Sequence, residues 1–335
     1  MTARHLVRRG ANASYADAGL LAPDSVGLTR WSIVDEAAGS VHTGFGVNRL
    51  AAGGVVPPHV HSFEESVYVL DGAVVLQTPE AAVRLEPGDY GLVPVGVPHS
   101  LRNEGPEPAR WAEMLAPMPR PRYGLDTYRV PDAAPLEPVS VDPRDPRTRS
   151  FGAIRPEHMD KHRQSQELLA VSASMRSALL VYSGITVKMM VDSDLGAVLS
   201  TMFMVQYDPD GAAGAHDHPF EETYLILEGV TDATFDGETY RLEPGDVAWA
   251  AAGCVHGFAA GVPSADHMSG SAAGVPSAGA SASPADHMSG SAAGGESAGD
   301  GGVRWLETQA PAPPGRHSYR FARDWDYLKD VLHDE

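Results

Sequence analysis

Cysteine is nearly absent: Cys254 is the only one in 335 residues. An intrachain disulfide is therefore excluded, and so is a cysteine-ligated zinc site within one chain. Long apolar runs are missing too. No stretch of about 18 apolar residues could span a bilayer, and Met1 to Arg9 lacks the apolar core of a secretory leader. The cytoplasm is the expected compartment. Basic residues are scarce, with 25 Lys and Arg against 44 Asp and Glu and a formal charge of −19. Phosphate-backbone binding needs clustered cations, so nucleic acid is not an expected partner, and the basic patch Arg4 to Arg9 reads as a solvated tail. Any metal must be held by His and carboxylate.

What the chain does contain is an internal repeat. Shifting the numbering so that His59 falls on His216 aligns residues 27–101 with 184–258 without a gap. His61, Phe63, Glu64, Glu65 and Gly72 then meet His218, Phe220, Glu221, Glu222 and Gly229. Leu85-Glu-Pro-Gly-Asp89 recurs as Leu242-Glu-Pro-Gly-Asp246, and His99 as His256. Within each copy, short runs rich in Val, Tyr, Leu, Phe and Thr are punctuated by Gly, Pro and Asp, which predicts an all-β barrel or sandwich. Strands are expected at 66–70, 73–77 and 90–93, with partners at 223–227, 232–235 and 247–250. Asp236-Gly237 is a hairpin turn, since both residues tolerate positive φ. Each copy closes on a similar strand, Arg110 to Pro117 and Arg304 to Pro311.

The expected divisions are a first barrel with its leader at 1–130, a linker with a connector helix at 131–183, a second barrel at 184–315 and a docking helix at 316–335. The linker proper is the Pro-, Asp- and Arg-rich stretch Val139 to Arg149, and the connector helix runs from Pro156 to Leu169. The tail helix carries Phe321, Trp325, Tyr327, Leu328, Val331 and Leu332 at helical spacing. Inside the second barrel, residues 261–302 are almost all Gly, Ala, Ser, Pro and Asp. Such a composition cannot bury enough apolar surface to offset its ordering entropy, so a disordered insertion is expected. His267 and His287 within it are not expected to be ligands.

The chemistry sits in the repeat. In the first copy Gly53 leads to His59-x-His61, Glu65 and Gly72, followed by Gly88, Pro94-x-Gly96, His99 and Asn103. This resembles both halves of the motif of the cupin superfamily. The second copy keeps His216, His218, Glu222, Gly229, Gly245, Gly253 and His256, with Ala251 and Ala260 where the family often has Pro and Asn. The resemblance implies two tandem cupin (jelly-roll) β-barrels, a bicupin, with a few short helices. Each barrel would hold a divalent metal, through His59, His61, Glu65 and His99 in one and through His216, His218, Glu222 and His256 in the other.

The spacing has a physical reason. His-x-His on a strand puts both imidazoles on one face, because side chains alternate. Three imidazoles and a carboxylate suit Fe(II) or Mn(II) and also accept Ni, Cu or Zn. By the same alternation Glu64 and Glu221 point away from the site, in a solvated or turn-stabilising role. Val67 and Val69 should line the first cavity, and Tyr224 and Ile226 the second. Cys254 reads as structural, its thiol facing out. Tyr224, with Trp249 and Phe258 nearby, makes the second barrel the expected working site and Tyr224 a candidate proton donor.

The resemblance specifies fold and metal far more closely than reaction. Its leading implication is an oxidoreductase of the dioxygenase type acting on a small oxygen-bearing molecule. Alternatives are a manganese aminohydrolase similar to (S)-ureidoglycine aminohydrolase, a lyase similar to oxalate decarboxylase, or a non-enzymatic small-molecule binder. A small molecule is the expected partner, without nucleic acid or membrane, and a homo-oligomer is an open option.

Overall fold

The structure, a computed structural model, describes residues 4–160, 184–261 and 302–312, together with the strands Ser177–Leu180 and Arg320–Phe321. Among the described residues the helical segments are short 3-10 turns and nearly everything else is strand. No helix there is long and apolar enough to cross a membrane.

In the first barrel the long strand Gly44–His61 runs through two pairings. Its first half lies between Val26–Val34 and Ala109–Ala116, and its second half pairs with His99–Arg102 and Thr127–Arg129. Glu64–Asp71 sits between Ala109–Ala116 and Asp89–Val93. The second barrel repeats the plan as two sheets. Thr201–Tyr207, Val303–Ala310, Glu221–Glu228 and Val247–Ala250 are neighbours in one, and Ala212–Asp217, His256–Ala260, Thr231–Phe235 and Glu238–Leu242 in the other. Asp236 and Gly237 both take positive φ in the turn joining the last two of these strands.

The barrels exchange strands. His5–Arg8, in the leader, pairs with Val247–Ala250 of the second barrel. Phe151–Ala153, in the linker, pairs with the matching strand Asp89–Val93 of the first. The expected boundaries change accordingly: the leader's first strand belongs to the second barrel, and Pro138–Ser140 of the linker adds to the first through Ala82–Leu85. The basic patch is no free tail, because Arg4 reaches Asp236 at 2.7 Å and Arg9 reaches Asp246 at 2.6 Å. Asp89, the counterpart of Asp246, takes Arg155 at 2.7 Å. The repeated Leu-Glu-Pro-Gly-Asp motif is thus the dock for the incoming strand. Gly88 has φ +85, and a Cβ there would meet the Ile154 carbonyl at 2.5 Å.

One apolar cluster is shared by both barrels, joining Trp31, Ile33, Phe45, Val47 and Met114 to Met190, Met202, Met204, Trp249 and Leu306. Burying a large apolar side chain is worth about 1.5–3 kcal/mol, so the two barrels form one cooperative body. Trp249 belongs to this seam and not to the second pocket, where the sequence placed it.

Of the expected connector helix, Pro156–Met159 forms a 3-10 turn and residues beyond 160 lie outside the described residues. Of the expected tail helix, only Arg320–Phe321 is described, and it is extended, pairing with His216 and Asp217. The insertion at 262–301 also lies outside the described residues. Its flanks converge. Gly261 N–H donates to the Val230 carbonyl at 2.8 Å, and a Cβ on Gly229 would fall 2.0 Å from the Gly302 carbonyl oxygen. Replacing residues 262–301 by a short turn should leave the melting temperature within about 2 °C of native, since neither flank depends on a long connection. Thermal unfolding of that deletion, with metal content measured alongside, checks this; a fall of ten degrees would show the segment to be part of the fold.

Candidate metal centres

The alternation expected from His-x-His holds. His59 and His61 are buried on one face of their strand, and His59 pairs directly with His99, the first residue of the neighbouring strand. Glu65 reaches the same point from Glu64–Asp71. In the second barrel His216 pairs with His256 in the same way. Ring separations are 4.2 Å for His59–His99 and 4.9 Å for His61–His99, against 4.4 and 4.9 Å for the matching pairs in the second barrel.

Each imidazole is oriented by its own backbone. Nδ1 of His59, His61 and His99 lies 2.9, 2.7 and 3.1 Å from the carbonyls of Pro57, Phe63 and Val97. His216, His218 and His256 repeat this on Gly214, Phe220 and Cys254 at 2.8, 2.8 and 3.0 Å. A carbonyl only accepts, so Nδ1 carries the proton and Nε2 turns a lone pair to the centre. His61 and His218 are further pinned by stacking on Phe63 and Phe220 at 4.0 and 3.9 Å.

Electrostatics agree with a ligand role. Burial lowers His59 and His216 to about 4, so both are neutral at physiological pH. Burial alone would raise the Glu65 carboxyl, but its close polar contacts with His61 and His99 hold it well below the usual range. Glu222 is likewise held down, against burial, by His218 and His256. His99 Nε2 is buried without a hydrogen bond although Glu65 lies 3.0 Å away. With its Nδ1 proton committed to the Val97 carbonyl, an Nε2 lone pair beside a carboxylate fits a metal ligand. The residues could hold an ion.

Comparison with known proteins decides the family. The Cupin domain profile matches residues 46–115 and 203–263. A stretch of 115 residues is 33% identical to the tetracenomycin polyketide synthase protein TcmJ of Streptomyces glaucescens, covering 33% of this chain and 77% of that protein. Protein SchB of Streptomyces halstedii is 33% identical over 34% of the chain and 85% of its own length. The chain belongs to the cupin superfamily, and it is a bicupin. Solved bicupin structures share the fold across both barrels. Salicylate 1,2-dioxygenase from Pseudaminobacter salicylatoxidans aligns over 92% of this chain and 85% of its own at TM-score 0.61 and 14% identity. The oxalate decarboxylase of Lactobacillus farciminis aligns over 98% and 93% at TM-score 0.56 and 12% identity.

The two centres of this bicupin are not equivalent. In the first, donor atoms of His59, His61, Glu65 and His99 all lie within 4.8 Å of one another. In the second, His216, His218 and His256 form the mutually close set, while Glu222 lies 2.8 Å from His218 Nε2 and 3.2 Å from His256 Nε2. Tyr224, the candidate proton donor, gives its hydroxyl hydrogen to Glu222, and Gln309 donates to the other carboxylate oxygen. Phe203, Tyr207, Phe235, Phe258 and Trp305 share the apolar core cluster of Tyr224.

The first barrel keeps a narrow cavity against His59, His61 and Glu65. Val67 and Val69 pack in the surrounding core, while the cavity wall includes Arg30, Asn48, Glu113 and Trp111. Asn48 donates to Glu113 at 2.7 Å, and Arg30 donates to both. Burial pushes the Glu113 carboxyl up to about 7, against the pull of Arg30. In the second barrel the positions of Arg30, Gly46 and Asn48 hold Val187, Phe203 and Val205. Only Glu307 remains, raised well above its usual value by burial and by Glu222. The sequence reading looked for identities between the copies and so passed over these residues. Their signal was the opposite one: polar or small residues at alternating strand positions in one copy and apolar residues in the other.

One other expectation needs correction, and a second is narrowed to its turn-stabilising alternative. Cys254 does not face out; it is fully buried in the second core, where desolvation pushes its thiol up to about 12. Glu64 and Glu221 do point away from the centres, yet they are not solvated. Glu221 accepts from Ser40 Oγ and the backbone of Val41 and His42, while Glu64 accepts from the backbone of Val198, Leu199 and Ser200 and from Ser200 Oγ. Each carboxylate therefore holds a loop of the other barrel.

Proposed function

We propose that this bicupin is a metal-dependent enzyme of the dioxygenase type, turning over a small oxygen-bearing organic molecule at the first-barrel centre. One observation carries the reading: there a compact three-His, one-Glu set adjoins a cavity with placed polar groups, the usual composition of a functional pocket. A bound Fe(II) or Mn(II) ion would supply Lewis-acid polarisation of substrate oxygens and, as iron, the redox capacity that oxygen chemistry requires.

The chain's own residues orient and enclose. His59, His61, His99 and Glu65 hold the ion, with the imidazoles locked by their carbonyl partners. Leu28, Val56, Leu101, Leu115 and Trp111 form apolar walls that exclude water, and Ala18, Leu21 and Ala22 of the leader close one side. Glu113 and Asn48 keep Arg30 in place at the wall. The second centre, with Glu222 occupied by Tyr224 and Gln309, supports the fold and not the turnover.

Metal analysis followed by a substrate screen on an oxygen electrode tests the proposal. Salicylate, oxalate and aromatic polyketides are the first compounds to try, since relatives are named for acting on or with such molecules. The expected result is a first-row divalent metal near one equivalent per chain, with oxygen uptake on adding a substrate. Protein that stays metal-free after incubation with Fe(II) and Mn(II) would overturn it, and turnover without oxygen uptake would exclude the dioxygenase type.

A further inference from the structure

The first-barrel cavity holds two buried donors with nothing to donate to. Arg30 Nε and Trp111 Nε1 both lack a hydrogen-bond partner, and both residues line the wall shared with His59, His61 and Glu65. An unmet buried donor costs about 1–3 kcal/mol, and this position is built with care. The Arg30 side chain is only 4% exposed, Asn48 Oδ1 accepts from it at 3.2 Å, and Glu113 accepts from the same nitrogen. Gly46 makes the room, since a Cβ there would fall 2.7 Å from the guanidinium carbon.

The second barrel serves as an internal control. Its matching indole, Trp305, donates to Glu307 at 2.9 Å, so the same position is satisfied there. In the first barrel Glu113 is drawn instead to Arg30 and Asn48, and Trp111 is left open. Two buried N–H groups on residues that line the cavity are thus left without a partner beside a charged pair.

We infer that Arg30 and Trp111 together bind an anionic oxygen group of the substrate, a carboxylate or a phenolate, beside the ion at the first centre. Charge supports this chemistry. With Glu65 ionised, a divalent ion and Arg30 leave the pocket net positive whether or not Glu113 holds its proton, so an anion is favoured there. Hydrogen bonds to charged partners are the stronger kind and discriminate sharply against neutral isosteres. The inference rests on the first barrel being the working site, but not on oxygen chemistry.

The test therefore uses full-length protein loaded with redox-inert Zn(II), without oxygen, titrated calorimetrically with glycolate and with its neutral isostere glycolamide. Native protein should prefer glycolate by about tenfold or more, the ratio expected for one charge-assisted contact. Arg30→Gln should bring the preference to within about twofold at unchanged zinc content, while Trp111→Phe should weaken glycolate and remove the glycolate-induced change in tryptophan fluorescence. Because Arg30→Gln leaves Glu113 facing a neutral group, the double variant Arg30→Gln/Glu113→Gln removes both charges and covers a folding failure of the single one. Native protein that binds both probes equally, or binds no glycolate, overturns the inference, as does native preference in either Arg30 variant. Both are explained by ordered water on the two donors. Selective glycolate binding without oxygen uptake on any substrate would sink the dioxygenase reading and leave this one standing; oxygen uptake with unselective binding would do the reverse.

Discussion

His59→Ala is expected to lower turnover at least a hundredfold, whereas His216→Ala should keep more than about half of it when both are assayed at matched metal content in the remaining site. Losing one of three imidazoles opens the compact set around Glu65 and loosens metal that is coupled to local folding. The same truncation in the second barrel removes a side chain from a centre whose carboxylate already serves Tyr224 and Gln309. The measurement is steady-state turnover of whichever substrate the oxygen-electrode screen identifies. Normal turnover in His59→Ala with loss in His216→Ala would return the chemistry to the second barrel, where Tyr224 had pointed.

Cutting the reciprocal latch should have the largest effect on stability. Glu64 and Glu221 are 1% and 3% exposed, and each receives three or four hydrogen bonds from a loop of the other barrel. Truncating either to Ala leaves buried or part-buried backbone N–H groups without their carboxylate, at about 2–4 kcal/mol in all. For a body of this size that corresponds to a melting temperature lower by roughly 5 °C. The two changes act on opposite ends of one seam, so the double variant should fall further than either. Differential scanning calorimetry reads this directly. A shift under about 2 °C in both single variants would mean that the loops find other partners and the carboxylates are not a latch.

Glu64 also shows why pattern reading stops where it does. Alternation along the strand correctly turned it away from Glu65, but the far face of a strand in an isolated barrel is water. Here that face meets a second barrel, and the residues that meet it, Val198 to Ser200, lie 134 to 136 positions away. Cys254 and Trp249 failed for the same reason in reverse: local spacing says which side of a strand a residue takes, not what has been packed against that side. The leader strand His5–Arg8 is a stronger case. Four residues with two arginines at their edges look like a solvated tail until Asp236 and Asp246 of the distant barrel are brought beside them.

The sequence by itself determined the repeat, the all-β class, the turns and the eight candidate ligands, because each rests on short-range rules: period-two alternation, positive φ at Gly and a fixed spacing of donors along two strands. Only the tertiary structure showed how the surroundings of the two centres differ. That difference depends on Arg30, Asn48, Glu113 and Trp111, which come from three different strands and meet only when the barrel closes. It also depends on Glu222, whose position in the motif matches that of Glu65, and whose neighbours Tyr224 and Gln309 engage it across the sheet. A motif specifies which donors are available; the surrounding packing decides what else those donors must satisfy.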